Sequence, residues 1–276
     1  VGDAMGAPLE FELKCRSEDN LVEDMIGGGV HKVEAGEWTD DTAMMLALAD
    51  AYTEEGLRPD LAMLNFQSWY DHGKYQSRGE CFDIGYTTRE ALETWKNEPT
   101  KSRVFKASCH KSQSGNGAMM RLAPVIIANM SSNPDENNLS SIIKDTVIQT
   151  LLTHGGKDAI DYTVKLAEHL YWTNWNVASI DGHGVVGEGH SENKKPMPSK
   201  HFYNVVDPIE RDSNTPREHI MSGGYVEETF NAACWAFNKA MADNYQYYDE
   251  GDCVPVFRKE YIFKDTIINA INLGHD

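Results

Sequence analysis

Apolar residues recur along this chain at the three-to-four-residue spacing of helices, and no long alternating run of the strand type competes with them. The run Ala43-Met44-Met45-Leu46-Ala47-Leu48-Ala49 is apolar all round, the pattern of a buried helix, with Gly56 expected to close it. Pro59 then opens a second helix in which Leu61, Leu64 and Trp69 recur near helical period until Gly73 ends it. Thr87 or Thr88 is placed to cap a helix continuing through Leu92 and Trp95. Leu139, Ile142, Ile143, Val147 and Leu151 share one side of an amphipathic helix from Asn138 to Leu152, and another runs from Asp158 to Trp172. Gly223 to Thr229 starts a helix carrying Phe230, Ala233, Cys234 and Phe237, and the last helix runs from Phe263 to Asn272. Between these, residues 175–222 are dominated by Gly, His, Asn, Pro and Lys without sustained period. They are expected to form a long loop or insertion, a kind of excursion that is often functional. The predicted fold class is all-α, one compact orthogonal helical bundle over 1–276 with its chemistry on interhelical loops.

A chain of 276 residues can bury a full core as one large domain. The formal net charge of −18 argues against a general nucleic-acid surface, because phosphate binding needs basic stripes. An anionic ligand would need local neutralisation, from a metal or from backbone amides. Cys15, Cys81, Cys109, Cys234 and Cys253 show no C-x-x-C spacing, so they read as reduced thiols of a cytoplasmic protein and not as a zinc cluster. No apolar run approaches the roughly 20 residues of a membrane span, no signal peptide is visible, and no membrane partner is expected. Val1 in place of Met, and an ending at Asp276 directly after Asn272-Leu273-Gly274-His275, read as a chain trimmed at both ends.

The candidate chemistry gathers around Gly36-Glu37-Trp38-Thr39-Asp40-Asp41-Thr42. Thr39, Asp40 and Asp41 offer one hydroxyl and two carboxylates at the start of the buried helix. Acids at a helix start are explained by its unpaired amides and dipole, so an N-cap accounts for much of the pattern. A second adjacent carboxylate exceeds what a cap needs, and hard divalent cations want several such oxygens converging. Upstream, Gly2 and Gly6 lie four apart and allow close helix approach, Pro8 breaks that helix, and Glu10 falls on the loop beyond. Gly27-Gly28-Gly29 marks a flexible loop leading to the acidic stretch. Asp83 sits on a loop before Gly85, where taken alone it reads as an Asx-turn. Gly115-Asn116-Gly117 is a small-residue loop whose successive amides could cradle an anion, although it is neither a Walker loop nor a G-x-G-x-x-G. His154 lies at the joint of two helices, as a cap on helix-end carbonyls or as a ligand contact. His183, His190, His201 and His219 lack paired metal spacing and read as surface residues.

Taken together and in order, Gly2-Asp3-x-x-Gly6…Glu10, Trp38-Thr39-Asp40-Asp41-Thr42, Phe82-Asp83-Ile84-Gly85…Thr87-Thr88, Gly115-Asn116-Gly117…Met120-Arg121…Pro124, Thr153-His154, Gly224-Tyr225 and Asn272-Leu273-Gly274-His275-Asp276 resemble the ADP-ribosylglycohydrolase family. The resemblance spans nearly the whole chain. It implies an all-α fold that binds two divalent cations, Mg²⁺ or Mn²⁺, and removes ADP-ribose from a modified protein or small-molecule substrate. It implies Thr39, Asp40, Asp41 and Asp276 as metal ligands. Gly115, Asn116 and Gly117 would hold the diphosphate, with His154 and Tyr225 lining the cleft and Glu10 and Asp83 beside the scissile bond, their roles left unassigned. Asp276 would be the first acid of a closing Asp-x-Asp motif; the second does not follow here, so the chain as it stands is expected to bind its metals poorly or to bind only one. Gly155-Gly156-Lys157 after His154 lacks the proline the family pattern suggests, and the 175–222 stretch is long. The acceptor implied first is ADP-ribosyl-arginine in a protein. O-linked ADP-ribose on serine, a small-molecule substrate and a non-catalytic binding or structural role stand as alternatives.

Overall fold

A computed structural model describes residues 1–98, 107–130, 136–180, 214–246, 256–257 and 259–274. The helices among them are α1 (Gly2–Gly6), α2 (Asp40–Ala49), α3 (Pro59–His72), α4 (Tyr86–Asn97), α5 (Ala123–Asn129), α6 (Glu136–Leu151), α7 (Lys157–Ile180), α8 (Val226–Asp243) and α9 (Lys259–Ile271). Two antiparallel ladders of two-residue strands complete the described elements, β1 (Tyr52–Thr53) with β2 (Gly56–Leu57), and β3 (Tyr245–Gln246) with β4 (Val256–Phe257). The fold is all-α, as the periodicity predicts. No helix among the described residues is long and apolar enough to cross a membrane.

The main core lies among α2 to α7, where Met44, Phe66, Trp69, Leu92, Leu122, Ile142 and Tyr171 are buried together. Burying each such side chain contributes about 1.5–3 kcal/mol. A second cluster joins Trp235 and Ala236 of α8 to Leu273 after α9, and α9 also packs on α1, where Gly6 faces Ile271 at a distance that would admit a side chain.

Several expected boundaries shift for physical reasons. Helix α2 ends at Ala49, and Gly56 instead opens β2 at φ +101°, in a tight hairpin. Its apolar surface is not wholly buried, since Leu46 is exposed. Helix α4 starts at Tyr86 with Gly85 as its N-cap, which moves Thr87 and Thr88 into the first turn. Helix α7 continues through Ile180, into the stretch expected as loop, and residues 217–219 form a 3₁₀ turn. On α8 the buried residues are Val226, Phe230, Ala232, Trp235, Ala236 and Ala240, while Ala233 and Phe237 face solvent. His219 is exposed, as a surface residue should be; His183, His190, His201, Cys253 and Asp276 lie outside the described residues.

The turn after α3 fastens the acidic stretch in place. Gly73 caps α3 in the left-handed region at φ +65°. Beyond it, Trp69 Nε1 donates to Gln76 Oε1 at 2.8 Å, and Gln76 Nε2 and Ser77 Oγ both donate to the Trp38 carbonyl. The Trp38 indole donates back to the Tyr75 carbonyl at 3.0 Å. A Cβ on Gly73 would lie 2.2 Å from the Gly79 carbonyl carbon, inside the backbone, in addition to its unfavourable φ. Gly73→Ala is therefore expected to cost about 3 kcal/mol, read as a lower denaturant midpoint at unchanged slope.

Candidate active site

The start of α2 is built by an acid from elsewhere. Thr39 is the N-cap by position, yet its side chain caps nothing. Asp3 of α1 does the capping instead. It accepts from Thr39 N at 3.0 Å and Thr42 N at 3.0 Å, and from Thr39 Oγ1 at 2.9 Å. The N-cap expectation thus fails in its residue: the carboxylate that accepts from these amides comes from α1. Asp40 is left buried at 9% exposure, and no ion pair or hydrogen bond reaches its carboxylate among the described residues. Burial, then Asp41, Asp83, Glu10 and Asp3 in turn, push its acid well above the usual carboxylate range.

Glu10 follows directly on the 3₁₀ turn Ala7–Leu9, and Asp83 lies on the loop before α4. Between them stands His31, which sequence reasoning missed. His31 Nε2 lies 3.2 Å from Glu10 Oε2 and 3.4 Å from Asp83 Oδ1, close as a charge contact but without hydrogen-bond alignment. Its ring sits between Phe11 and Phe82, with centroids 6.0 and 5.9 Å away. Arg78 holds this loop from behind. It donates to the His31 carbonyl at 3.0 Å and the Lys32 carbonyl at 2.9 Å, pairs with Glu37, and lies 4.4 Å over the Phe82 ring. The expected flexible glycine loop is accordingly pinned, with Gly29 so close to Pro8 that a Cβ would fall 2.5 Å from its carbonyl oxygen.

Backbone strain concentrates at the same place. Phe11, Lys32 and Asp83 all have positive φ, at 63°, 50° and 53°. Each such residue costs of order 1–3 kcal/mol, and such strain gathers at functional sites. For Asp83 the Asx-turn expectation gives way to a left-handed backbone that turns its carboxylate toward His31. The only legible signal for His31 was its place just after the glycine tract.

Glu10, His31 and Asp83 bring one ligand atom each within 4.8 Å of one another, so these three could hold a metal ion. The chemistry of the donors at the start of α2 also fits a hard cation: a hydroxyl, two adjacent carboxylates, and in Asp40 a buried acid whose neighbours repel its charge. Cys81 nearby offers no thiolate, because burial and then Asp40 push its thiol up to about 12.

The glycine loop lies across α4 from Asp83. Thr87 Oγ1 reaches the Ser112 carbonyl, and a Cβ on Gly117 would lie 3.3 Å from Thr88 Oγ1. Asn116–Ala118 form a 3₁₀ turn, not the start of a long helix as an anion cradle suggests. The loop is tied to the start of α8 by a bridge between Gly115 and Tyr225, with Asn116 N donating to the Gly224 carbonyl and Val226 N to the Ser114 carbonyl. Tyr225 is partly exposed and donates its phenol to Asp158 Oδ2 at 2.6 Å. His154 is buried behind the loop and is no carbonyl cap: its Nδ1 lies 2.7 Å from Thr153 Oγ1. Burial, then the charge of Arg121, lower its pKa to about 3, so the ring is neutral. Arg121, wholly buried, is lowered to about 9 by burial. Glu10, Asp83 and the α2 acids therefore gather in one place, and Gly115, Asn116, Gly117, His154 and Tyr225 in the adjoining one.

The chain is 35% identical over 238 residues to the ADP-ribosylarginine hydrolase Tri1 of Pseudomonas putida (strain GB-1), a match covering 86% of this chain and 58% of that protein. It is 32% identical over 279 residues to the ADP-ribosylarginine hydrolase Tri1 of Serratia proteamaculans (strain 568), covering 100% of this chain and 64% of that one. The chain thus spans less than two thirds of the length of either relative. A solved structure described as an ADP-ribosylglycohydrolase-related protein complex superposes with a TM-score of 0.58 at 25% identity, covering 100% of this chain and 77% of the other. The profile of the ADP-ribosylglycohydrolase family matches residues 1–276, and the chain belongs to that family.

Proposed function

We propose that this chain carries the catalytic centre of a hydrolase that removes ADP-ribose from a modified acceptor, the N-linked ADP-ribosyl-arginine of a protein. The observation that carries the proposal is the meeting of Glu10 and Asp83 at His31, within electrostatic reach of the buried Asp40. The names of the two Tri1 relatives support the arginine linkage.

Hydrolysis at the anomeric carbon passes through an oxocarbenium-like state, which needs an oriented ribose, an activated water and a stabilised leaving group. Glu10 and Asp83 supply the two carboxylates for this. One accepts the proton of the attacking water and passes it to the guanidine nitrogen as the C–N bond breaks, while the other pairs with the guanidinium so formed. Thr39, Asp40 and Asp41, with Asp276, would hold two divalent cations, Mg²⁺ or Mn²⁺. When bound, these supply positive charge for the ribose hydroxyls and acidify water. The Gly115–Gly117 loop receives the diphosphate, beside the Gly117 backbone and the His154 ring that packs against it. His154 and Tyr225 form the wall of that subsite. Arg78 and Phe82 keep His31 in place between the carboxylates and thereby set their spacing.

The test is release of free ADP-ribose from an ADP-ribosylated arginine protein, run with Mg²⁺, with Mn²⁺ and with EDTA, beside a serine-linked substrate. Metal-dependent release from arginine is expected. Preferred release from serine would move the reading to O-linked substrates. No release from either, with metal bound, would leave a binding role.

A further inference from the structure

We propose that Arg121 and Thr153 are positioning residues that fix the proton of His154 on Nε2, so that this imidazole stands as a permanent hydrogen-bond donor beside the Gly115–Gly117 loop. The inference rests on the reading above that this loop receives the oxygen acceptors of the ligand.

The argument is a count of protons. Arg121 has no exposure, and its Nε donates to Gln149 Oε1 at 2.8 Å. Its Nη2 donates to the Gln149 carbonyl at 2.8 Å and to Thr153 Oγ1 at 2.7 Å. A guanidinium has donors only, so at Thr153 the hydroxyl oxygen must be the acceptor. The same oxygen lies 2.7 Å from His154 Nδ1. If Nδ1 carried a proton, two donors would converge on Thr153 Oγ1, and the threonine's own proton would need a third partner. Thr153 is wholly buried, and its hydroxyl meets no other acceptor among the described residues. Leaving a buried donor unpaired costs about 1–3 kcal/mol. The threonine proton therefore goes to Nδ1, and the imidazole's single proton is on Nε2.

The other end of the ring faces the glycines. A Cβ on Gly117 would lie 2.9 Å from His154 Cε1 and 3.2 Å from Nε2, and one on Gly115 would lie 3.6 Å from Nε2. The ring takes up the space that side chains would fill, and no hydrogen bond occupies Nε2 among the described residues. With the ring held neutral, Nε2–H is a fixed donor that does not switch to acceptor. A diphosphate or ribose oxygen meets a donor there, and a cation meets no lone pair. Gln149 couples the same network to the loop, since its Nε2 donates to the Ala118 carbonyl at 3.0 Å. Arg121 thus sets both the loop and the histidine that backs it.

The experiment is ¹⁵N-edited NMR of the histidine side chains in the whole protein, with His154 assigned by a His154→Asn variant, alongside calorimetric titration with ADP-ribose. The wild type is expected to show His154 protonated on Nε2 alone. Thr153→Val should shift the proton wholly or partly to Nδ1 and weaken ADP-ribose binding about 3- to 10-fold, the worth of one hydrogen bond. Thr153→Ser, which keeps the hydroxyl, should restore both. A wild-type proton on Nδ1 would overturn the proposal, as would a Thr153→Val protein with the wild-type tautomer. If Thr153→Val does not fold, the wild-type tautomer decides the matter alone. A wild type that shows the Nε2 proton but fails to bind ADP-ribose would support the relay while counting against the hydrolase reading.

Discussion

Asp40→Asn is expected to lower kcat/KM for ADP-ribose release roughly a thousandfold while making the metal-free protein harder to unfold. On the proposed function, in which Asp40 helps to hold the cations, the activity loss follows from removing a charge worth several kcal/mol of transition-state stabilisation. The stability gain follows from the surroundings of Asp40: it is buried among Asp41, Asp83, Glu10 and Asp3, and burial and these charges outweigh the attraction of the Arg121 guanidinium, so its acid stays raised. Its folded-state pKa is raised, so the folded protein holds this proton more tightly than the unfolded chain. Without metal, stability is therefore lost as pH rises from the ordinary aspartate range through the raised value, and the loss persists above it. The Asn variant lacks this loss, so its advantage should be absent in acid and grow with pH. Denaturant midpoints of both proteins across pH, in EDTA, measure it. Equal midpoints at neutral pH would mean that Asp40 carries no electrostatic load.

Glu10→Gln and Asp83→Asn are each expected to reduce kcat/KM by about 10²- to 10⁴-fold, the usual worth of a positioned acid or base. Both carboxylates approach the same His31 nitrogen, so the double variant should fall short of the product of the two losses. The way each loss divides assigns the roles. The carboxylate that pairs with the leaving guanidinium should change KM for arginine-linked substrate and spare a substrate with a neutral leaving group. The one that takes the water's proton should lower kcat on both. Two variants each within threefold of wild type would remove Glu10 and Asp83 from the chemistry.

Helical periodicity carried most of the fold, although on α3 the buried stripe is Ala62, Met63, Phe66 and Trp69, while Leu64 of the expected stripe is exposed. It misjudged ends where short-range chemistry decides them. Gly85 took the cap expected of Thr87 or Thr88, and the β1–β2 hairpin took Gly56. On α8 several faces are apolar, so Phe237 could be mistaken for core when Trp235 and Ala236 fill that place. The acids of the site were visible as residue types in a recognisable order. His31 was not, because its role depends on a loop held by Arg78 from 47 residues away, and no local pattern encodes such a tie. In the sequence Arg121 stands out only as part of a motif. Its full burial and its link to His154 through Thr153 are three-dimensional facts.

The cap that Asp3 places on α2 has a consequence for Thr39. The threonine hydroxyl has a single proton, and of its two acceptors the Asp3 carboxylate at 2.9 Å is nearer than Asp41 Oδ2 at 3.4 Å. Whatever approaches Thr39 from the other side then meets only oxygen lone pairs, so the hydroxyl's polarity is set before any ligand arrives. Asp3, in turn, is committed to two helix amides and that proton, which keeps it from competing for the positive charge that Asp40 and Asp41 would attract. The first helix of the chain thereby holds the start of the second without drawing on the buried Asp40 carboxylate.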